Sequence, residues 1–167
     1  MELPPPPVGY RERMPSFAEE SGRCMVGCDA FGREVALATD AAQAWVTMRD
    51  ESVTDGIQLQ LLSGFRSIDR QADIVGKKLA AGQSLDAILR VNAYPGFSEH
   101  HTGRAIDLGS PDCEHFSEAF ETTREFRWLG KHASRFGFSL SYPRDNPCGI
   151  AYEPWHWCMS IKQPKKS

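Results

Sequence analysis

Two short segments, far apart in the chain, concentrate metal-binding side chains, and any fold this sequence adopts must bring them together. The first is Ser98-Glu99-His100-His101-Thr102-Gly103-Arg104-Ala105-Ile106-Asp107, and the second is Glu153-Pro154-Trp155-His156. Together they supply the imidazoles and carboxylates that a hydrolytic zinc site uses. Such a site takes three protein ligands, keeps a position for water, and needs a nearby base to handle that water's proton. His100, Asp107 and His156 are read as the ligands, with Glu153 as the uncoordinated carboxylate.

The local pattern around the first segment supports this geometry. Gly103 allows a tight backbone turn after His100, and Ala105 leaves space beside the metal. Arg104 to Leu108 reads as a strand, with Ala105 and Asp107 on one face and Ile106 and Leu108 on the other. The second segment is less regular. Strand alternation would put Glu153 and His156 on opposite faces, but Pro154 cannot donate to a ladder. An edge position or irregular backbone there allows both side chains to turn inward.

The pattern Ser98-x-His100-x-x-Gly103-x-Ala105-x-Asp107, followed by Glu153-x-Trp155-His156, resembles the two-part signature of the zinc D-alanyl-D-alanine carboxypeptidase family. That family includes VanY-type and VanX-type peptidases, L,D-carboxypeptidases and some phage endolysins. The resemblance implies zinc as cofactor and a peptidoglycan-derived peptide as substrate. His101 adjoins a ligand but matches no ligand position, so it stays outside the metal set. The Gly64-Phe65-Arg66-Ser67 segment followed by Gln71 also resembles the family, in which the arginine contacts substrate. Arg66 is therefore expected to act beside Glu153 in catalysis, and Ser98 and Gln71 to bind substrate.

The preferred function is L,D-carboxypeptidase action, releasing the last D-Ala from a muropeptide tetrapeptide in wall recycling. A D,D-carboxypeptidase acting on D-Ala-D-Ala pentapeptides is the next reading, and an L-Ala-D-Glu endopeptidase of the endolysin kind is third. From another class comes a zinc-stabilised binding module without turnover, because the signalling domain of hedgehog proteins is similar in fold and metal site. Glu153 and Arg66 argue against that last reading. The sequence leaves open the L,D or D,D specificity, the diamino acid and the oligomeric state.

The rest of the 167 residues reads as an ordinary α+β protein, a small mostly antiparallel sheet carrying the ligands with helices packed against it. The formal net charge of -3 and the lack of a basic stripe argue against a nucleic-acid partner. No apolar run approaches the roughly 20 residues that span a bilayer. The opening Met1-Glu2-Leu3-Pro4 has neither the basic nor the apolar region of a secretory signal. Cys24, Cys28, Cys113, Cys148 and Cys158 form an odd set without disulfide-framework spacing. A cytoplasmic location is the expectation.

Residues 1–20, with the Pro4 to Pro7 run, are expected to form a tail or a strap, and residues 21–167 the peptidase domain. Arg23 to Leu37 reads as a hairpin turning near Gly32. Asp40 is the expected cap of a helix carrying Ala41, Ala44, Trp45 and Met48 on one stripe. Gln58 to Leu61 reads as a strand leading into a helix that starts near Ser67. Thr122 and Glu125 fit a capping box for a helix closed by Gly137. Cys24 and Cys28 lack a second ligand pair, and His115 and His132 are read as structural.

Overall fold

In a computed structural model, which describes residues 2–160, the expected hairpin pairs β1 (Arg23–Cys28) with β2 (Glu34–Ala38). A single helical turn, α1 (Tyr10–Arg13), precedes it, and α2 (Thr39–Thr54) follows directly. Then come β3 (Gln60–Ser63), α3 (Ile68–Ala80), α4 (Leu85–Ile88) and β4 (Ala105–Gly109). The chain closes with α5 (Arg124–His132), β5 (Phe138–Leu140) and β6 (His156–Met159). The last stretch of the expected domain, residues 161–167, lies outside the described residues.

Strands β3 to β6 form a four-stranded antiparallel sheet in the order β3-β4-β6-β5, and the β1-β2 hairpin is separate from it. This is the α+β architecture expected from the sequence. The core lies between α2, β2, α5 and the sheet, with Leu37, Trp45, Met48, Ile106, Leu108, Leu129 and Phe138 all buried. Each such side chain, fully buried, contributes about 1.5–3 kcal/mol. That apolar mass fixes β4, the strand that carries Asp107, in the centre of the sheet.

Two helix starts differ from their expected positions, by two residues in α2 and by one in α5. Ala38, not Asp40, precedes α2, and the Asp40 carboxylate instead accepts from the N–H of Ala41. Thr123, not Thr122, caps α5 by accepting from the N–H of Phe126. Thr122 turns its hydroxyl to the Ala119 carbonyl, closing the short 3-10 turn before the helix. The Ser67 cap of α3 stands as expected, accepting from the N–H of Arg70.

The N-terminal segment lies along the body as a strap. Tyr10 and Met14 are buried in a second apolar cluster with Leu89, Phe97, Tyr142 and Ile150. The Tyr10 hydroxyl accepts from the N–H of Tyr94, and Pro4 accepts from the Tyr94 hydroxyl. Farther along, the N–H of Phe17 bonds Gly96 and that of Glu20 bonds His101. The strap thus braces the loop that leads into the His100 turn. All five cysteines are free thiols, and no helix among the described residues is long and apolar enough to cross a membrane.

Candidate active site

His100 sits on a 3-10 turn, Glu99–Thr102, which starts at Ser98 and stops at Gly103. The Ser98 hydroxyl accepts from the N–H of His100, fixing the start. Gly103 adopts φ 65 there, and a Cβ on it would come within 2.6 Å of the Ala38 nitrogen. Only glycine meets both demands, so the turn can press against the start of α2. Asp107 and His156 face each other by register, as direct partners across the antiparallel β4-β6 pair. Directly opposed residues of that kind hold their Cβ atoms about 5 Å apart.

Three ligand atoms therefore converge, one each from His100, Asp107 and His156, all within 4.8 Å of one another and all buried. His100 Nε2 is 3.2 Å from Asp107 Oδ2, and His156 Nδ1 is 3.1 Å from Asp107 Oδ1. Ligands at zinc-bond lengths around a tetrahedral ion would stand about 3.3 Å apart. The donor set, two imidazoles and a carboxylate converging within 4.8 Å, fits a zinc ion.

Each imidazole is fixed from behind, as metal-binding histidines are. His100 Nδ1–H donates to the Gly64 carbonyl at 2.8 Å, leaving Nε2 on the Asp107 side. Gly64 can lie this deep only because it lacks a side chain, since a Cβ would stand 2.4 Å from Val35. His156 Nε2–H donates to Glu99 Oε2 at 2.8 Å, and the Ser141 hydroxyl donates to the same oxygen at 2.6 Å. Tyr142 lies over the His156 ring, with centroids 4.8 Å apart.

Electrostatics follow from these contacts. Burial disfavours the Asp107 charge, yet His100 and His156 outweigh it and hold the carboxyl well below the usual range. Burial also opposes protonation of His156, but hydrogen bonds to Asp107 and Glu99 push its pKa up to about 10. His100 moves the other way, lowered chiefly by burial.

Glu153 resolves the alternation problem raised by the sequence. It lies outside β6, in a turn over Pro154 in which the N–H of His156 bonds the Glu153 carbonyl. Its carboxylate consequently reaches the same side as His156, with Oε2 3.9 Å from Nδ1. It makes no hydrogen bond among the described residues and faces a cleft of about 360 Å³ shared with His100, Asp107 and His156. Burial pushes its pKa up to about 7, in the range suited to moving protons at neutral pH.

Arg66 and Ser98 line the same cleft. The Arg66 guanidinium donates to Gln71 Oε1 and to the Ser63 hydroxyl, and has no carboxylate within ion-pair reach among the described residues. Gln71, expected to touch substrate, does not line the cleft. It is 1% exposed, donates to the Ala93 carbonyl, and steadies Arg66 from behind. His101 has a similar supporting place, its Nδ1–H donating to the Arg66 carbonyl while Nε2 accepts from the N–H of Gly96. It stays outside the metal set, as read from the sequence.

Sequence reasoning missed Glu99, Tyr142 and Phe116. Glu99 occupies a position of the first segment to which the motif assigns no residue, and nothing in the spacing shows that it points at a histidine from the second. Tyr142 and Phe116 reach the cleft from loops remote in sequence.

A buried His-Asp-His cluster on an antiparallel sheet, with a loose carboxylate beside it, defines the class of zinc-peptidase-like α+β domains. The chain belongs to the VanY family, whose model, described as D-alanyl-D-alanine carboxypeptidase, matches residues 34–160. It is 38% identical over 120 residues to a putative carboxypeptidase, YodJ, of Bacillus subtilis (strain 168), covering 70% of this chain and 44% of that one. Its fold resembles the solved LdcB LD-carboxypeptidase with a TM-score of 0.77 and 31% identity, covering 87% of this chain and 71% of that chain. It also resembles the E175A variant of the vancomycin-resistance D,D-pentapeptidase VanY in complex with Zn(II). There the TM-score is 0.63 and the identity 25%, covering 81% of this chain and 78% of that one. The chain spans less than half the length of the curated relatives it matches.

Proposed function

We propose that the protein is a zinc-dependent carboxypeptidase that releases C-terminal D-Ala from peptidoglycan peptides, with the L,D bond of the tetrapeptide as its preferred target. The observation that carries this reading is the meeting of His100, Asp107 and His156 beside the free carboxylate of Glu153. Membership of the VanY family supports the substrate class. The likeness to the LdcB LD-carboxypeptidase, at 31% identity over 87% of this chain, supports the L,D preference.

His100, Asp107 and His156 would hold the zinc. When bound, the ion supplies Lewis acidity, polarising the scissile carbonyl and making water a better nucleophile. Glu153 takes a proton from the attacking water and delivers it to the departing amine of D-Ala. Its carboxylate is suited to both steps because no hydrogen bond restrains it. Arg66 offers fixed positive charge to the oxygen that becomes negative, at no cost in reorganisation. Ser98, which lines the cleft, meets the substrate.

The test is incubation of purified protein with tri-, tetra- and pentapeptide muropeptides, with and without chelator. D-Ala release from the tetrapeptide, abolished by chelation, is the expected result. Release from the pentapeptide alone would establish the D,D alternative, which the VanY likeness favours. Internal cleavage would replace both.

A further inference from the structure

Beyond Phe116 the cleft borders a second cavity of about 380 Å³, and Arg66 and Phe116 line both. The second cavity has a cationic wall made of Arg33, Arg66 and Arg70. Two carboxylates, Asp29 and Glu34, line it as well. Asp29 and Arg33 are committed to each other through Arg33 Nε at 2.8 Å; Arg33 Nη2 also donates to the Leu62 carbonyl, and Asp29 accepts from the N–H groups of Phe31 and Arg33. Arg66 is occupied only by the neutral Gln71 and Ser63. Arg70, in the first turn of α3, has no ion-pair partner among the described residues. Arg66 sits between two fields: after burial, the charges of Asp107 and Glu153 on the cleft side raise its pKa, and those of Arg70 and Arg33 on the cavity side lower it. Arg70 is thus the wall's cation without a charged partner among the described residues, and such a charge in a concavity favours an anion there.

The rim between the cavities is aromatic. Phe31 and Phe116 stack at 6.4 Å with ring planes 4° apart, and Phe116 meets Trp155 edge-on at 6.1 Å. Phe116 and Phe31 are 43% and 51% exposed, so core burial does not account for their placement. Phe116 also holds φ 55, a left-handed conformation that a bulky side chain avoids. Strain of this sort clusters where a ligand is gripped.

We propose that this second cavity is an acyl-side subsite. The substrate peptide crosses the Phe31-Phe116-Trp155 ridge and sets a free carboxylate against Arg70. The protein therefore selects peptides carrying that carboxylate over their carboxamides. The inference rests on the carboxypeptidase reading for its orientation, which puts the released residue in the cleft and the acyl part beyond Phe116, the residue that lines both cavities.

The experiment compares two synthetic tetrapeptides ending in D-Ala, one with γ-linked D-glutamate bearing its free α-carboxylate and one with the α-carboxamide. Both are tested on the wild type, R70A and F116A. The wild type should show kcat/KM at least tenfold higher on the acid, and R70A should lose that preference. On a minimal N-acetylated dipeptide substrate, too short to reach the cavity, R70A should match the wild type. F116A should weaken both tetrapeptides through KM. Equal wild-type rates on acid and amide, or an R70A loss uniform across all three substrates, would overturn the proposal. A binding arm separates this from the activity itself: the acidic tripeptide product is titrated calorimetrically against wild type and R70A. Binding lost in R70A supports the subsite even if no peptide is turned over, whereas equal binding by both overturns it. Tight binding of a peptide-free disaccharide would instead give the ridge to a sugar and also overturn it.

Discussion

Glu99 Oε2 lies 2.8 Å from His156 Nε2, on the opposite side of the imidazole from Asp107. Glu99 is itself held below the ordinary carboxylate range: burial opposes this, but the hydrogen bond and charge of His156 prevail, with help from Ser141. The result is a carboxylate-histidine pair reaching across from the 3-10 turn to β6, so the orientation of one ligand depends on the neighbour of another. Outer partners of this kind are worth roughly 10–100-fold in metal affinity. E99A should weaken zinc binding by that order, measured by competition with a chromophoric chelator. E99Q, which can still accept from Nε2–H, should recover part of it. Unchanged affinity in E99A would remove Glu99 from the metal site.

Glu153 yields a prediction in which stability and activity move in opposite directions. Its pKa is raised from 4.5 to about 7 by burial, so the folded metal-free protein binds a proton more tightly than the unfolded chain. A raised carboxyl pKa contributes stability at low pH that is lost as pH climbs from about 4.5 through about 7. Above pH 7 the buried charge costs up to roughly 3 kcal/mol. Metal-free E153Q should therefore unfold at higher temperature than metal-free wild type at pH 8, with the gap closing toward pH 4. The zinc-loaded variant should keep its metal and lose about 100-fold or more in kcat. Calorimetric scans at several pH values and D-Ala release assays check the two halves separately.

Chelation should destabilise the protein as well as silence it. Without the ion, Asp107 is left to hold two imidazoles in a buried site. A ligand present at a thousand times its dissociation constant stabilises the native state by about 4 kcal/mol. Removing zinc from the wild type should lower Tm by several degrees, and adding it back should restore it. In D107A the Tm should not respond to zinc, a comparison that separates the metal's effect from buffer effects.

How much of this was legible beforehand depended on whether a role is written in spacing or in contacts between remote segments. The His100, Asp107 and His156 set and the sheet that carries it could be read because turn glycine, small residue and ligands recur at fixed offsets. The convergence of Glu153 with His156 was not derivable from alternation, since it depends on a turn over Pro154 rather than on a strand. Gln71 was read as a substrate contact from its place after Arg66, but its burial against Ala93 turns it into a support. Glu99 was invisible for the opposite reason, because its partner comes from another segment. The cap of α5 moved from Thr122 to Thr123 because a preceding 3-10 turn uses the Thr122 hydroxyl.

Arg66 tests whether shape or charge matters in the cleft. Its fork donates to Gln71 and Ser63 at once, at 3.0 and 3.2 Å, fixing the guanidinium plane. Lysine keeps the positive charge but not the two-pronged geometry. R66K should lose about 100-fold in kcat/KM, on the scale of one removed oxyanion donor, while retaining zinc. Activity within a few-fold of wild type would show that a point charge suffices, and the Gln71 contact would then be a matter of stability alone.

The strap links the N-terminus to the cleft through packing rather than charge. Tyr10 is wholly buried, meets the Phe97 ring edge-on at 5.4 Å, and accepts from the N–H of Tyr94 through its hydroxyl. Its cluster includes Tyr142 and Ile150, both of which line the cleft. Y10A should cost about 3–5 kcal/mol, the range for removing a large buried aromatic. Y10F retains the ring and loses only the hydroxyl, leaving the Tyr94 N–H unpaired at about 1–3 kcal/mol. Because Tyr142 lies over His156, Y10A should also raise KM for the peptide substrate, while Y10F should leave KM near wild type. Denaturant unfolding gives the first pair of values and steady-state kinetics the second. A Y10A protein as stable as wild type would mean that the strap only rests on the surface.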